Sequence, residues 1–142
     1  MVNKEALYNL RFIILIILLV TIDLVSKSFA INNLSFGESS TTLLPFIKLL
    51  LIYNSGIAFG IFGNGGMLAS NILLLITLLI SSYLIWMIIN ETQKNKKYSL
   101  SIITAGALGN IIDRVIDGQV TDFLHLEILN FSFFVFNLAD AF

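Results

Sequence analysis

Three apolar stretches dominate the chain: Phe12 to about Ile31, Leu68 to Ile89 and Leu100 to Ile116. A helix needs about 20 residues to cross the hydrocarbon core of a bilayer, and these stretches approach that length. In lipid, a segment must satisfy its own backbone N–H and C=O groups, so a single apolar span of this kind has to be helical. The chain has 142 residues, of which 57% are hydrophobic and 12% charged. The expectation is one integral membrane domain over residues 1–142, built on helices. The first stretch also has features of a secretory signal peptide, with Lys4 and Arg11 before the apolar run and Ser28-Phe29-Ala30 after it. Asp23 and Lys27 within the segment favour a retained helix instead.

A fourth apolar segment starts near Asn137, and the sequence stops at Phe142. The expected fold class is therefore membrane all-α with a small β element. Its core is a four-transmembrane-helix bundle whose fourth helix is mostly missing from the sequence.

Cations orient the spans. Lys4 and Arg11 precede the first span, and Lys94, Lys96 and Lys97 lie between the second and third. By the positive-inside rule both groups are cytoplasmic, which leaves the stretches 32–66 and 117–136 facing outward. These outward stretches read as β-like. Leu43 to Tyr53 is strand-rich around Pro45, and Leu124-His125-Leu126-Glu127-Ile128 alternates apolar and polar. Such alternation marks a half-buried strand. Asn130 suits a turn, after which Phe131-Ser132-Phe133 resumes the alternation. Phe131, Phe133, Phe134 and Phe136 suit either interfacial anchoring or lipid contact, and Tyr53, Tyr83 and Trp86 read as packing or interfacial anchors.

Several chemistries are excluded or disfavoured by composition. A net charge of −1 without a basic stripe argues against nucleic acid as a partner. With no Cys, there is no thiol nucleophile, disulfide or thiolate metal site. A single His, His125, disfavours a histidine metal site or a Ser-His-Asp triad, and it reads as a solvated or strand-edge residue. No metal and no cofactor is expected.

The carboxylates are the exception to the apolar pattern. Asp23, Asp113, Asp122 and Asp140 lie in or beside the apolar segments. An ionised group there costs several kcal/mol unless it is paired or functional. Asp23 and Lys27 stand at i and i+4 and so form a neutralising pair of structural character. Asn110, Asp113 and Arg114 share one broad helix face directed into the bundle, and Ala105, Gly106 and Gly109 allow close helix approach. In the loop Asn54-Ser55-Gly56-Ile57-Ala58-Phe59-Gly60, Asn54 offers an amide and Gly56 an unrestricted backbone. Asp122 alone reads as a turn residue and Asp140 alone as a helix-terminal cap. Taken together at one depth, flanked by Asn110, Arg114 and Asn137, they suggest paired-carboxylate chemistry. Two close carboxylates share a proton, and a water between them is then activated for amide hydrolysis. Asp113 could take the place of Asp122 as the partner of Asp140.

These motifs, in this order, resemble those of the lipoprotein signal peptidases (signal peptidase II). Asp23 and Lys27 are similar to that family's first-helix pair, and Asn54 to Gly60 to its Asn-x-Gly-x-Ala-Phe-Gly segment. Gly106 to Arg114 resembles its Gly-x-x-Gly-Asn-x-x-Asp-Arg motif. Val120-Thr121-Asp122-Phe123 resembles Val-x-Asp-Phe, and Phe136-Asn137-Leu138-Ala139-Asp140 resembles Phe-Asn-x-Ala-Asp.

The resemblance implies a catalytic dyad of Asp122 and Asp140, with Asn54, Gly56, Asn110, Asp113, Arg114, Asn137 and Ala139 shaping the site and holding substrate. It implies an outward β-cradle on a four-helix bundle in the bacterial inner membrane, with the N-terminus cytoplasmic and the site near the periplasmic face. The substrates would be prolipoproteins cut before a diacylglyceryl-modified Cys, with membrane lipid around the site and globomycin-type inhibitors blocking it. It also implies a full fourth helix, so the sequence reads as a truncated record of a longer protein. The competing expectations are a membrane transporter subunit and a non-catalytic assembly factor.

Overall fold

The computed structural model describes residues 4–56, 66–129 and 131–142. The Ile57-Ala58-Phe59-Gly60 part of the second motif and the turn residue Asn130 lie outside the described residues.

Three long helices run through the molecule: α1 (Lys4–Asn33), α2 (Gly66–Asn90) and α3 (Lys94–Asp117). Each contains a segment long and apolar enough to cross a membrane. Apart from a small buried cluster of Ala30, Leu51 and Phe123 between α1 and the sheet, the apolar residues of the helices do not gather into a core. Ile17, Val25 and Phe29 of α1, and Leu79 and Ile89 of α2, are exposed, as a lipid-facing surface requires. What is buried is the seam between helices. On α1, Phe12, Asp23, Lys27 and Ala30 recur on one face and are almost fully buried. On α3 the facing stripe includes Lys97, Ser101, Thr104 with Ala105, Gly109 and Asp113, recurring every three or four residues.

The third helix is longer than its apolar run. Lys94, Lys96 and Lys97 fall inside its first turn rather than in a connecting loop. Only Glu91, Thr92 and Gln93 separate α2 from α3, with the Glu91 carboxylate accepting from the backbone N–H groups of both Thr92 and Gln93 at 2.8 Å. The far end closes at Gly118, which adopts a left-handed conformation (φ 71°) and donates its N–H to the carbonyl of Arg114.

A four-stranded antiparallel sheet in the order β1-β2-β3-β4 caps one end of the bundle. Its strands are β1 (Ser39–Thr41), β2 (Ile47–Asn54), β3 (Val120–Ile128) and β4 (Phe131–Phe136). Two strand expectations need correction. The strand around Pro45 begins after it, at Ile47, because proline lacks the N–H that a ladder needs. Asp122 is not a turn residue: β3 starts at Val120, and Asp122 pairs with Ile52 across the ladder. The short β1 had no readable alternation; it pairs Ser39 to Thr41 with Lys48 to Leu50.

His125 is a third correction. It sits on the interior strand β3, is 6% exposed, and its Nε2 lies 2.7 Å from Ser132 Oγ on β4. A neighbouring strand on each side removes it from solvent. The last element is α4 (Leu138–Ala141), a single turn whose N-cap is Asn137.

Candidate active site

The site lies where the last turns of α3, the start of β3 and the turn of α4 meet α1. Asp23 and Lys27 form the expected i, i+4 ion pair at 2.7 Å, and both are buried. Lys27 does more than neutralise its neighbour. Its Nζ also lies 3.2 Å from Asp113 and donates to Asn110 Oδ1 at 2.9 Å. One ammonium thus meets three partners, one within α1 and two that bind α1 to α3. The second oxygen of the other partner is also occupied: Asp23 Oδ1 accepts from the backbone N–H of Ala139 at 2.9 Å.

The small residues of α3 make room for that contact. A Cβ on Gly109 would stand 2.5 Å from Asp23 Oδ2 and 3.3 Å from the Ala139 methyl. One on Gly106 would strike the carbonyl oxygen of Ala139. The expected close approach therefore occurs, and the approaching element is the single turn α4. Ala139 is itself 6% exposed, so a larger side chain there would also find no space.

Asn137 is the hub. Its side chain accepts from Asp140 N at 3.1 Å, while its own backbone N–H donates to Asp140 Oδ2 at 3.2 Å. This reciprocal capping box fixes the carboxylate of Asp140 against the first turn of α4. The Asn137 amide then donates to Asp122 Oδ1 at 2.7 Å and to Asn110 Oδ1 at 3.1 Å. Asn110 closes the circuit by donating to Asp140 Oδ1 at 2.8 Å. Asp122 Oδ2 is held by Asn54 Nδ2 at 3.1 Å, and the other end of the Asn54 amide accepts from Gly56 N–H at 2.8 Å. Gly56 has φ 94°, a conformation that glycine adopts without strain.

The two carboxylates differ in setting. Asp122 is 2% exposed, whereas Asp140 is exposed. Burial pushes the Asp122 carboxyl up to about 6; the donors Asn54 and Asn137 oppose the rise, and the nearby charge of Asp140 adds to it. Asp113 is arranged differently from both. Its Oδ2 accepts from the backbone N–H of Thr121 at 3.0 Å and faces Lys27. It anchors the beginning of β3 and thereby places Asp122 one residue further on.

Arg114 stands in the last turn of α3, close enough for Asp122, Asp140 and Asp113 to act on its charge. Among the described residues it makes no ion pair within 4 Å, and its Nε is buried without a hydrogen-bond partner. Sequence reading grouped Asn110, Asp113 and Arg114 on one inward face. The structure divides their contacts: Asn110 meets Asp140, Asp113 meets Lys27 and β3, and Arg114 has no such partner.

No group of three or more His, Asp or Glu side chains suited to a metal occurs among the described residues. An apolar groove of about 570 Å³ runs between α1 and the sheet; Val25, Phe29, Leu34, Leu49 and Phe123 are among its walls. Phe123 directly follows Asp122 on β3, where successive side chains take opposite faces.

Fold and site together define a multi-pass membrane protein with two carboxylates joined by asparagines at one end of a helical bundle. Comparison with known proteins gives the family. The model for "Signal peptidase (SPase) II" matches residues 15–142. The lipoprotein signal peptidase of Thermodesulfovibrio yellowstonii is 42% identical, over 95% of this chain and 86% of its own. That of Pelagibacter ubique is 37% identical, over 99% and 85%. Two bacterial membrane enzyme structures obtained by the in meso method superpose with a TM-score of 0.77 at 32% and 33% identity. Each covers 92% of this chain, which spans 79% and 83% of theirs. The chain belongs to the signal peptidase II family and is a peptidase, as its motifs implied. The transporter and assembly-factor alternatives are not supported.

Proposed function

We propose that this chain removes signal peptides from diacylglyceryl-modified prolipoproteins by cutting before the lipidated Cys, with Asp122 and Asp140 as the catalytic dyad. The observation that carries the reading is the asparagine circuit. Asn137 and Asn110 together touch both carboxylates, while Asp113 is committed to Lys27 and the Thr121 N–H.

In this reading a water sits between the two side chains. The Asp140 carboxylate removes a proton as the water oxygen attacks the scissile carbonyl carbon. Asp122, buried and holding the shared proton, donates it to the carbonyl oxygen. Collapse of the tetrahedral intermediate breaks the C–N bond: the proton on Asp140 passes to the amine of the departing Cys, and one hydroxyl of the intermediate returns its proton to Asp122. The products are a peptide carboxylic acid and a free lipidated Cys N-terminus, and the net consumption is one water. Arg114 lends positive charge beside the dyad, and the accessible part of its half-buried guanidinium holds the substrate backbone. Asn54 and Gly56 order the edge of the site.

The whole of residues 1–142 acts as one peptidase domain. The dyad end of the bundle faces the periplasm, and the end with Arg11, Lys94, Lys96 and Lys97 faces the cytoplasm of an inner membrane, as their charge favours. The apolar groove between α1 and Phe123 of β3 suits acyl chains, so the lipid portion of the substrate can stay in an apolar phase. Globomycin-type peptides would compete for the same position.

The test is cleavage of a diacylglyceryl-modified prolipoprotein by the protein in lipid. Asp122→Asn and Asp140→Asn should each lower kcat by about 10³-fold or more while insertion and melting temperature hold. Substantial activity in either variant rules out that residue's place in the dyad. Asp113→Asn, if it alone abolished turnover without loss of stability, would move the dyad to Asp113 and Asp140.

A further inference from the structure

Lys27 makes its ion pairs with Asp23 and Asp113, yet a single side chain separates it from Asp140. That side chain is Asn110. Its Oδ1 accepts from Lys27 Nζ at 2.9 Å, and its Nδ2 donates to Asp140 Oδ1 at 2.8 Å. Close packing brings these groups together. Asp23 lies against α3 at Gly109, where a Cβ would stand 2.5 Å from its Oδ2. Lys27, one turn further along α1, meets the next residue of α3, Asn110.

An amide side chain has an acceptor end and a donor end, and it can turn end for end, so its neighbours decide which end faces where. An ammonium has donors only. Lys27 therefore holds the Oδ1 end of Asn110 toward itself, and the Nδ2 end is left facing Asp140. Turned over, the amide would set N–H groups against the ammonium and a carbonyl oxygen against the Asp140 carboxylate. Asn137 Nδ2 gives the same Oδ1 a second donor at 3.1 Å. The Lys27 bond is shorter and charge-assisted, which makes it the stronger of the two. A cation at the acceptor end also polarises the amide and strengthens the bond that its donor end makes to Asp140. Asp140 is exposed, while Lys27 is buried. The base of the proposed pair is thus held from inside the bundle, along a hydrogen-bond path that begins at a buried charge.

We propose that Lys27 is a positioning residue for the reaction: through the Asn110 amide it sets the place of the Asp140 carboxylate. The inference rests on the assignment of Asp122 and Asp140 as the dyad. It gives Lys27 a task beyond neutralising Asp23 and Asp113, one that a purely structural cation would not perform through Asn110.

The test is a double-mutant cycle on cleavage of the lipid-modified prolipoprotein by the full chain in lipid. Lys27→Met alone would strand two buried carboxylates, so it is made in the Asp23→Asn background. Lys27→Met/Asp23→Asn loses one charge of each sign and leaves the net charge of the cluster unchanged. Relative to Asp23→Asn, it should lower kcat by about tenfold and hold KM within about twofold. With Asn110→Ala added to both proteins, Lys27→Met should lower kcat no further. Losses that multiply instead of merging overturn the inference, as does a fall in melting temperature with kcat unchanged. Turnover already lost in Asp23→Asn would place the function in the ion pair itself and overturn it as well. If Lys27→Met/Asp23→Asn does not fold, Lys27→Gln takes the place of Lys27→Met, because its neutral amide is shorter and cannot hold Asn110 at the same distance. Asp140→Asn separates this inference from the one beneath it. Activity retained there defeats the dyad, whereas an inactive Asp140→Asn beside multiplying losses defeats only the task of Lys27.

Discussion

Asp23 in the middle of α1 accepts a hydrogen bond at 2.9 Å from the backbone N–H of Ala139, a residue 116 positions later and one before Asp140. The same carboxylate holds Lys27 at 2.7 Å. The first-helix pair is therefore the seat on which the turn that carries Asp140 rests as well as an ion pair within α1. Removing one partner of a buried pair costs about 3–5 kcal/mol, because the other charge is left without compensation. Asp23→Ala should lower the melting temperature by many degrees and reduce cleavage together with stability. Asp23→Asn keeps an acceptor for Ala139 and should retain more activity than Asp23→Ala. A melting curve for Asp23→Ala that overlays the wild type would disprove this role.

The rise of Asp122 to about 6 sets a pH dependence. In the proposed mechanism the protonated form of Asp122 is needed, so kcat should fall as pH rises past the apparent value of the dyad. Asn54 donates to the ionised form, and its loss raises the value further. Asn54→Ala should thus move the alkaline limb to higher pH, with a lower maximum rate. A limb that moved to lower pH would contradict the assignment of the donor. The stability linkage has the matching sign. The folded pKa is raised above the ordinary 3.8, so the contribution of Asp122 is fully present below 3.8 and is lost as pH rises through about 6.

Asn137 both caps α4 and positions both carboxylates. An N-cap alone contributes about 0.5–2 kcal/mol. Asn137→Ala should cost that much stability, yet lower kcat by about 10²-fold or more because Asp122 loses a donor and the turn that carries Asp140 loses its cap. Asn137→Ser keeps the cap but cannot reach Asp122, so it should recover stability without recovering turnover. Parallel recovery of both would reduce Asn137 to a cap.

Gly109→Ala brings a methyl group to 2.5 Å from Asp23 Oδ2, and Gly106→Ala drives one into the Ala139 carbonyl. Overpacking of this kind costs about 1–3 kcal/mol. Each variant should show a lower melting temperature and a kcat loss larger than any change in KM, since the dyad is displaced while the apolar groove remains. Unchanged kcat in Gly106→Ala would show that α4 tolerates the displacement.

Arg114 is the residue most exposed to a test of substrate binding. If its guanidinium holds substrate, Arg114→Lys should raise KM by about tenfold and leave stability nearly intact, because Arg114 makes no ion pair among the described residues. A stability loss without a change in KM would make it a structural residue.

The sequence alone was sufficient for features governed by local rules. Long apolar runs must be helices in lipid, so the three spans followed from composition. Asp23 and Lys27 meet because i and i+4 share a helix face, and Gly106 and Gly109 announced a close contact by size alone. The period-two alternation at Leu124 to Ile128 located part of β3. The order of five motifs identified the family, and that order is written in the chain itself.

Only the tertiary structure decided which polar groups meet. Lys27 reaches Asn110 across 83 positions and Asn54 reaches Asp122 across 68, distances over which periodicity carries no signal. Asp113 stood as an alternative to Asp122 in the sequence, and their different partners, Thr121 and Lys27 for the first and asparagines for the second, are visible only in the fold. His125 looked solvated because strand order is a property of the assembled sheet, and the neighbours on both sides bury it. Lys97 read as a loop cation, and only the packing of α1 and α2 around it made it a buried one. Helix and strand formation depend on neighbours along the chain, whereas burial and pairing depend on neighbours in space, which a lone sequence does not specify.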